Sequence, residues 1–157
     1  NELGTPAISL TGTQAGIITE SAHGRARILE IRTERIKNLL DQGQTIVIAG
    51  FQGTTLGIGG IAEITTLGRG GSDFTASLIA SITNSNYLEI WTDVSGIFTA
   101  DPRIVKQAYP IENLSYEEAM ELSHFGAKVL YPPTIKPVML KKIPIYIKNS
   151  FNYSLLH

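Results

Sequence analysis

The side chains best suited to chemistry gather in one stretch, Glu63-Ile64-Thr65-Thr66-Leu67-Gly68-Arg69-Gly70-Gly71-Ser72-Asp73. Arg69 offers a planar fork of donors that fits a carboxylate or a phosphate. The three glycines around it let the backbone take positive φ and approach a ligand closely. Ser72 and Asp73 precede an apolar helical pattern that the spacing starts at Phe74. At such a helix mouth, free N–H groups and the positive end of the dipole favour an anion. A glycine-rich turn whose Ser and Asp merely cap a helix has the same spacing, so the motif alone leaves both readings open. A second candidate is Thr92-Asp93, where an apolar run empties into a polar loop. Arg103 and Lys128 are the cations that could join either group, although lone Arg and Lys are more often solvated surface residues.

Bulk properties narrow the chemistry. Net charge is −1 and charged residues are 17% of the chain, so no broad basic surface points to nucleic acid. Apolar runs are strand-sized, well short of the ~20 residues of a membrane span. There is no cysteine, which removes thiol chemistry and fits a reducing, cytoplasmic setting. His23, His124 and His157 lack ligand spacing, so no metal site is read from them. Neither a P-loop nor a Gly-x-Ser-x-Gly elbow is present. The surviving set suits an anionic ligand of spread charge, such as a phosphate chain beside a small carboxylate.

The elements that must position these residues alternate. Pro6–Leu10 and Ile17–Glu20 read as short strands, with a possible extension over Ala26–Ile31. Thr33 reads as the cap of a helix with Ile36, Leu39 and Leu40 on one side, and Gly43 as its left-handed stop. Thr45–Gly50 is a β-branched run of the kind buried on both faces of a parallel sheet. Phe51–Gly60 reads as a flexible glycine-rich connection. Phe74, Leu78, Ile79 and Ile82 share one helix face, and Tyr87–Thr92 is a strand whose carboxyl end meets the Asp93 loop. Ser115-Tyr116-Glu117-Glu118 is a capping box, opening a helix that Gly126 closes. Pro132 and Pro133 start another helix, with Pro137 placed near its first turn. Pro144–Asn149 is a last alternating strand, and Ser150–His157 reads as a frayed tail. This order predicts an α/β fold with a mostly parallel sheet and helices on both faces. At 157 residues the length prior gives one domain. The chain starts at Asn1, and its first residues read like the tail of a helix, which suggests a fragment.

Four blocks in one order carry a resemblance. They are Thr65–Asp73, Trp91–Arg103, Phe125–Pro132 and Ile143–Asn149. Together they resemble the aspartate kinases of the amino acid kinase family, over nearly the whole chain. Thr-Thr-Leu-Gly-Arg-Gly-Gly-Ser-Asp is the most specific block. The resemblance implies a three-layer αβα sandwich, here the nucleotide-binding half of the catalytic domain over residues 1–149. It implies transfer of the ATP γ-phosphoryl group, with Mg²⁺ accompanying the nucleotide, to the side-chain carboxylate of aspartate, in amino-acid and specifically lysine biosynthesis. Arg69 would take the substrate α-carboxylate, with Gly71 and Ser72 beside it. Asp73 would hold the amino group and order the transfer centre, and Phe51 would line the aspartate pocket. Thr92 and Asp93 would face the base and sugar. Phe98 stands where the family commonly has Tyr, so it would keep the packing and lose a hydroxyl bond. Arg103 and Lys128 would neutralise phosphate charge, Lys128 with a catalytic part, and Val129 would touch the adenine.

Departures from the pattern qualify the implied activity. The family's Lys-Phe-Gly-Gly-Thr-Ser motif, its amine-binding glutamate and its ACT domains do not occur in this sequence. The resemblance therefore implies a chain weakly active or inactive alone, working as a homo-oligomer or with an N-terminal half. A non-catalytic nucleotide-binding module and a purely structural half-domain are the alternatives.

Overall fold

The first strand of the chain, β1 (Ala7–Leu10), pairs in parallel with β4 (Thr45–Ile48), Ala7 opposite Thr45 and Leu10 opposite Ile48. The computed structural model describes residues 4–22, 24–57, 61–124 and 129–152. Two compact units divide the chain, Asn1–Ala76 and Ser77–His157.

In the first unit, α1 (Glu34–Asp41) lies between β1 and β4 in sequence and packs on β4 through its one buried side chain, Ile36. Gly43 follows at φ +70°, the left-handed stop that the sequence predicts. Thr33 does occupy the N-cap, but its hydroxyl makes no capping bond. Its backbone is already helical, at φ −90° and ψ −13°, whereas a capping side chain works from an extended residue. β4 departs from expectation too. It alternates half-buried and exposed residues, with Val47 57% exposed, the pattern of a strand covered on one face only.

Four short strands make the other sheet of this unit, in the order β3-β2-β5-β6. They are β2 (Ile17–Thr19), β3 (Ile28–Ile31), β5 (Gln52–Thr54) and β6 (Ile64–Thr66). β2 runs parallel to β5, while the β2–β3 and β5–β6 pairs are antiparallel. β5 replaces the first part of the flexible connection read from the sequence. Its Gly-Thr-Thr composition hid a strand whose interior is hydrogen-bonded rather than apolar. The buried Thr19 and Thr65 hydroxyls meet at 2.6 Å, and the Thr54 hydroxyl donates to the carbonyls of Thr55 and Glu63. Such pairing is what permits polar groups inside a sheet. A Cβ on Gly53 would lie 2.4 Å from the Thr19 methyl, so β5 passes this layer only as glycine.

α2 (Gly71–Thr83) starts in the first unit and ends in the second. The second unit also holds β7 (Leu88–Thr92), α3 (Tyr116–His124), α4 (Pro132–Lys141) and β8 (Ile145–Asn149). β7 and β8 run parallel, so Thr92 and Asn149 end the two strands side by side. Ala80, Leu88, Ile90, Ile97, Ala119, Leu130, Ile135, Val138 and Ile143 supply its buried apolar side chains among the described residues. The Ser77 hydroxyl, fully buried, donates to the Thr134 carbonyl at 2.5 Å and ties α2 to α4. The capping box forms as read: Ser115 Oγ accepts the Glu118 N–H, and Glu118 accepts the Ser115 N–H at 2.8 Å. The Ser115 N–H, and with it the Ser115 hydroxyl donating to the same oxygen at 2.8 Å, hold the Glu118 carboxyl below its ordinary range. The closure of α3 read at Gly126 lies outside the described residues. Pro132 and Pro133 do open α4, but Pro137 is its sixth residue and not in its first turn. The Pro133 carbonyl forgoes its helical donor there, and complete burial of Ile135 and Val138 holds the turn in place.

Among the described residues no helix is long and apolar enough to cross a membrane. Ser150, at the head of the tail read as frayed, donates its N–H to the Thr92 carbonyl, and Phe151 donates to Asn149 Oδ1.

Candidate functional site

Each unit carries one cluster of the residues singled out from the sequence. In the first, the chain leaves β6 through Leu67 and bends at Gly68 (φ +79°) and Gly70 (φ +68°) before entering α2. Only glycine takes both positions without strain. α2 opens at Gly71, three residues earlier than the apolar pattern predicts. Gly71, Ser72 and Asp73 are therefore its first turn, where N–H groups lack partners inside the helix. Gly71 serves by its missing side chain. A Cβ there would stand 2.7 Å from Phe51 Cδ2 and 3.2 Å from Phe51 Cα. Gly50 likewise lies against Ser72, with 3.0 Å from its notional Cβ to Ser72 Cα.

Phe51 itself is strained. It holds φ +69°, which a bulky side chain rarely adopts. Two bonds fix it: its N–H donates to Thr75 Oγ1 at 3.2 Å, and its carbonyl accepts the Leu67 N–H at 3.0 Å. Thr75 Oγ1 in turn donates to the Gly71 carbonyl at 2.7 Å. The result is a half-exposed aromatic ring aimed over the mouth of α2. Such strain persists where the surroundings over-determine it, often at ligand sites. Arg69 and Ser72, two residues before and one after Gly71, are exposed. Among the described residues Arg69 has no hydrogen-bond or ion-pair partner, so its fork is available. Asp73 is partly buried, and burial raises its carboxyl above the ordinary value. Phe51, Arg69, Gly71, Ser72 and Asp73 are thus brought together.

In the second unit, Thr92 and Asp93 sit at the carboxyl end of β7, and the Thr92 hydroxyl donates to Asp93 at 3.2 Å. Phe98 forms a bridge with Pro110, flanked by bonds from Ile111 N–H to Ile97 and from Thr99 N–H to Tyr109. These close the base of an excursion that carries Arg103. The Arg103 guanidinium is engaged by Asp101. That bond, and the charge beside it, raise the Arg103 pKa further. Val129 is half-buried just before α4. Lys128 lies outside the described residues.

Two positions escaped the sequence reading. Thr75 fastens Phe51; its signal was a hydroxyl one helical turn beyond Gly71, on the side of the bend. Asn149 donates from Nδ2 to Ser95 Oγ at 2.9 Å, linking the end of β8 to the loop after Asp93. Its signal was its place at the end of a strand that, run parallel to β7, must finish beside Thr92.

The sequence profile described as the amino acid kinase family matches residues 1–149. An aspartokinase of Geobacillus stearothermophilus is 47% identical over 150 residues, which are 96% of this chain and 36% of that protein. The structure of E. coli aspartokinase III in complex with aspartate and ADP superposes with a TM-score of 0.80 at 34% identity, covering 96% of this chain and 34% of that one. Aspartate kinase from Synechocystis gives 0.76 at 43% identity, covering 97% and 24%. The chain spans about a third of the length of the curated relatives it matches. The fold class expected from the sequence, α/β of the amino acid kinase kind, is the one these structures share.

Proposed function

The chain belongs to the amino acid kinase family, and from that premise we propose that it is part of an aspartate kinase catalytic domain. The reaction is transfer of the γ-phosphoryl group of ATP to the side-chain carboxylate of aspartate. One observation carries the reading: Arg69, with no hydrogen-bond or ion-pair partner among the described residues, stands two residues before Gly71, against which the strained, doubly fastened Phe51 is packed at the start of α2. The aspartate and ADP bound to E. coli aspartokinase III support the choice of ligands.

In this reading Arg69 binds the α-carboxylate of aspartate in a fork, with the Ser72 hydroxyl and the N–H groups of Ser72 and Asp73 completing the anion site, since the Gly71 N–H is spent on the Gly68 carbonyl. Phe51 covers the carbon chain of the substrate, and Gly71 keeps that ring seated. Asp73 takes the substrate amino group; a cation there favours its charged form against the burial that opposes it. Thr92 and Asp93 hold the base and sugar, and Phe98 packs on the nucleotide without a hydroxyl to bond it. Arg103 and Lys128 neutralise phosphate charge, and Val129 touches the adenine. Phosphoryl transfer asks mainly for such positioning and charge neutralisation. Mg²⁺ arrives with the nucleotide and offsets charge on the phosphate chain. The setting is the cytoplasm, in lysine biosynthesis, with the catalytic unit assembled as a homo-oligomer.

The family's Lys-Phe-Gly-Gly-Thr-Ser motif does not occur in these 157 residues. Loss of one donor to developing charge lowers rates by ~10²–10³. This stretch alone therefore binds ligands but turns over slowly. The test is aspartate-dependent ADP release by the chain, alone and with a half-domain carrying that motif. Restored aspartyl phosphate formation supports the enzyme. ATP binding with no phosphoryl transfer in the mixture makes the chain a nucleotide-binding module instead. Robust turnover by the chain alone would overturn the division of labour.

A further inference from the structure

The excursion closed by the Phe98–Pro110 bridge holds a short, rigid device at Asp101-Pro102-Arg103. Asp101 Oδ1 accepts the Arg103 backbone N–H at 2.9 Å and its Nε–H at 3.0 Å. Asp101 Oδ2 accepts from Nη2 at 2.8 Å. The Asp101 carbonyl also accepts the N–H groups of Ile104 and Val105. Pro102 fixes φ between the two partners. One carboxylate thus closes a turn and grips a guanidinium two residues on. The turn would need only the first of these bonds, as an Asx-turn does. The two side-chain bonds are surplus to it.

A guanidinium has five N–H donors in one plane. Asp101 occupies two, on the Nε edge. Both N–H groups of Nη1 and one of Nη2 remain, and they face away from Asp101. The Arg103 side chain is 84% exposed, so those donors are open to solvent. An ordinary exposed ion pair contributes little to stability. What this one does is remove the rotamer freedom of a long side chain that would otherwise be lost on binding.

We propose that Asp101 is a positioning residue that holds the Arg103 fork with its outer edge presented to the phosphate groups of a nucleotide. This deepens the assignment of Arg103 as a phosphate ligand and rests on it. The alternative is electrostatic competition, in which the Asp101 carboxylate repels phosphate and must be displaced from Arg103. The two differ in sign.

Asp101→Asn separates the roles. The amide keeps an oxygen for the Arg103 backbone N–H, so the turn survives, but it loses the charge and the second acceptor. The chain and its Asp101→Asn and Asp101→Ala variants are titrated with ATP·Mg²⁺ and with adenosine. Exchange of the Arg103 Nε proton is followed by NMR in the absence of nucleotide. Positioning predicts faster Nε–H exchange in both variants, ATP binding weaker by about tenfold in Asp101→Asn, and adenosine binding unchanged. Unchanged or tighter ATP binding in Asp101→Asn, with the unsubstituted chain binding normally, overturns the proposal and leaves the phosphate role of Arg103 standing. Equal loss of ATP and adenosine also overturns it, because the excursion itself has then moved. No ATP binding by the unsubstituted chain counts against the nucleotide assignment and takes this proposal with it.

Discussion

Gly71→Ala isolates the contact that seats Phe51. Two effects oppose each other. Alanine favours a helix over glycine by ~1 kcal/mol in an interior turn, and by less in a first turn. Against that, the new methyl would stand 2.7 Å from Phe51 Cδ2, 3.2 Å from Leu67 Cβ and 3.2 Å from Phe51 Cα. Carbon atoms at rest lie about 3.5–4.0 Å apart, so the ring must move by roughly 1 Å. Phe51 cannot yield at its backbone, which Thr75 and Leu67 fasten from both sides. Relief comes from swinging the ring outward, and the two 3.2 Å contacts remain. Overpacking of this kind costs about 1–3 kcal/mol. The net expectation is a loss of about 1 kcal/mol, read as a lower urea midpoint with an unchanged slope. Aspartate affinity falls with it, since the ring leaves the pocket, while ATP affinity holds. Ser72→Ala, on an exposed neighbour, is the control for stability. A stabilised Gly71→Ala, or one that binds aspartate as before, would refute the seating of Phe51 by this glycine.

Three further outcomes follow from the geometry. Burial raises the Asp73 carboxyl, so its charge opposes folding above that raised value and not below the ordinary carboxylate range. Urea midpoints measured against pH should therefore show Asp73→Asn gaining on the unsubstituted chain as pH rises through this window, and no gain would contradict the burial argument. In the threonine layer, Thr19 keeps a carbonyl acceptor at Glu20 if Thr65 is replaced, whereas among the described residues the Thr65 hydroxyl has only Thr19. Thr65→Val should cost about 0.5–1.5 kcal/mol and Thr19→Val about 1–3 kcal/mol; the reverse order in denaturant melts would sink the pairing. Lys128→Ala should weaken ATP far more than aspartate, and titration of both ligands checks it.

Much of the arrangement was legible in the sequence where one residue type answers one local demand. The Gly43 stop, the Ser115–Glu118 box and the Gly68–Gly70 bend each satisfy a backbone requirement that few residues can meet. The strands of the first unit were harder. Their interior is closed by threonine hydroxyls, so the apolar alternation that marks a strand is missing from β5. The start of α2 was misplaced because Gly71, Ser72 and Asp73 carry no apolar face, although the helix begins with them. β4 looked doubly buried because β-branched side chains suit any strand, and exposure depends on neighbours that composition does not name. For the site, the residues were visible and their supports were not. Thr75 and Asn149 act through bonds that exist only once the chain is folded.

The central claim is that Arg69, at the mouth of α2, is the carboxylate ligand of an aspartate kinase. Calorimetric titration of the chain and of Arg69→Ala, first with ATP·Mg²⁺ and then with aspartate, addresses it directly. The account predicts aspartate binding weakened by about tenfold or more in Arg69→Ala, since a charge-assisted fork is lost, with ATP binding nearly unchanged. Equal losses for both ligands, or aspartate bound as tightly without Arg69, would contradict it.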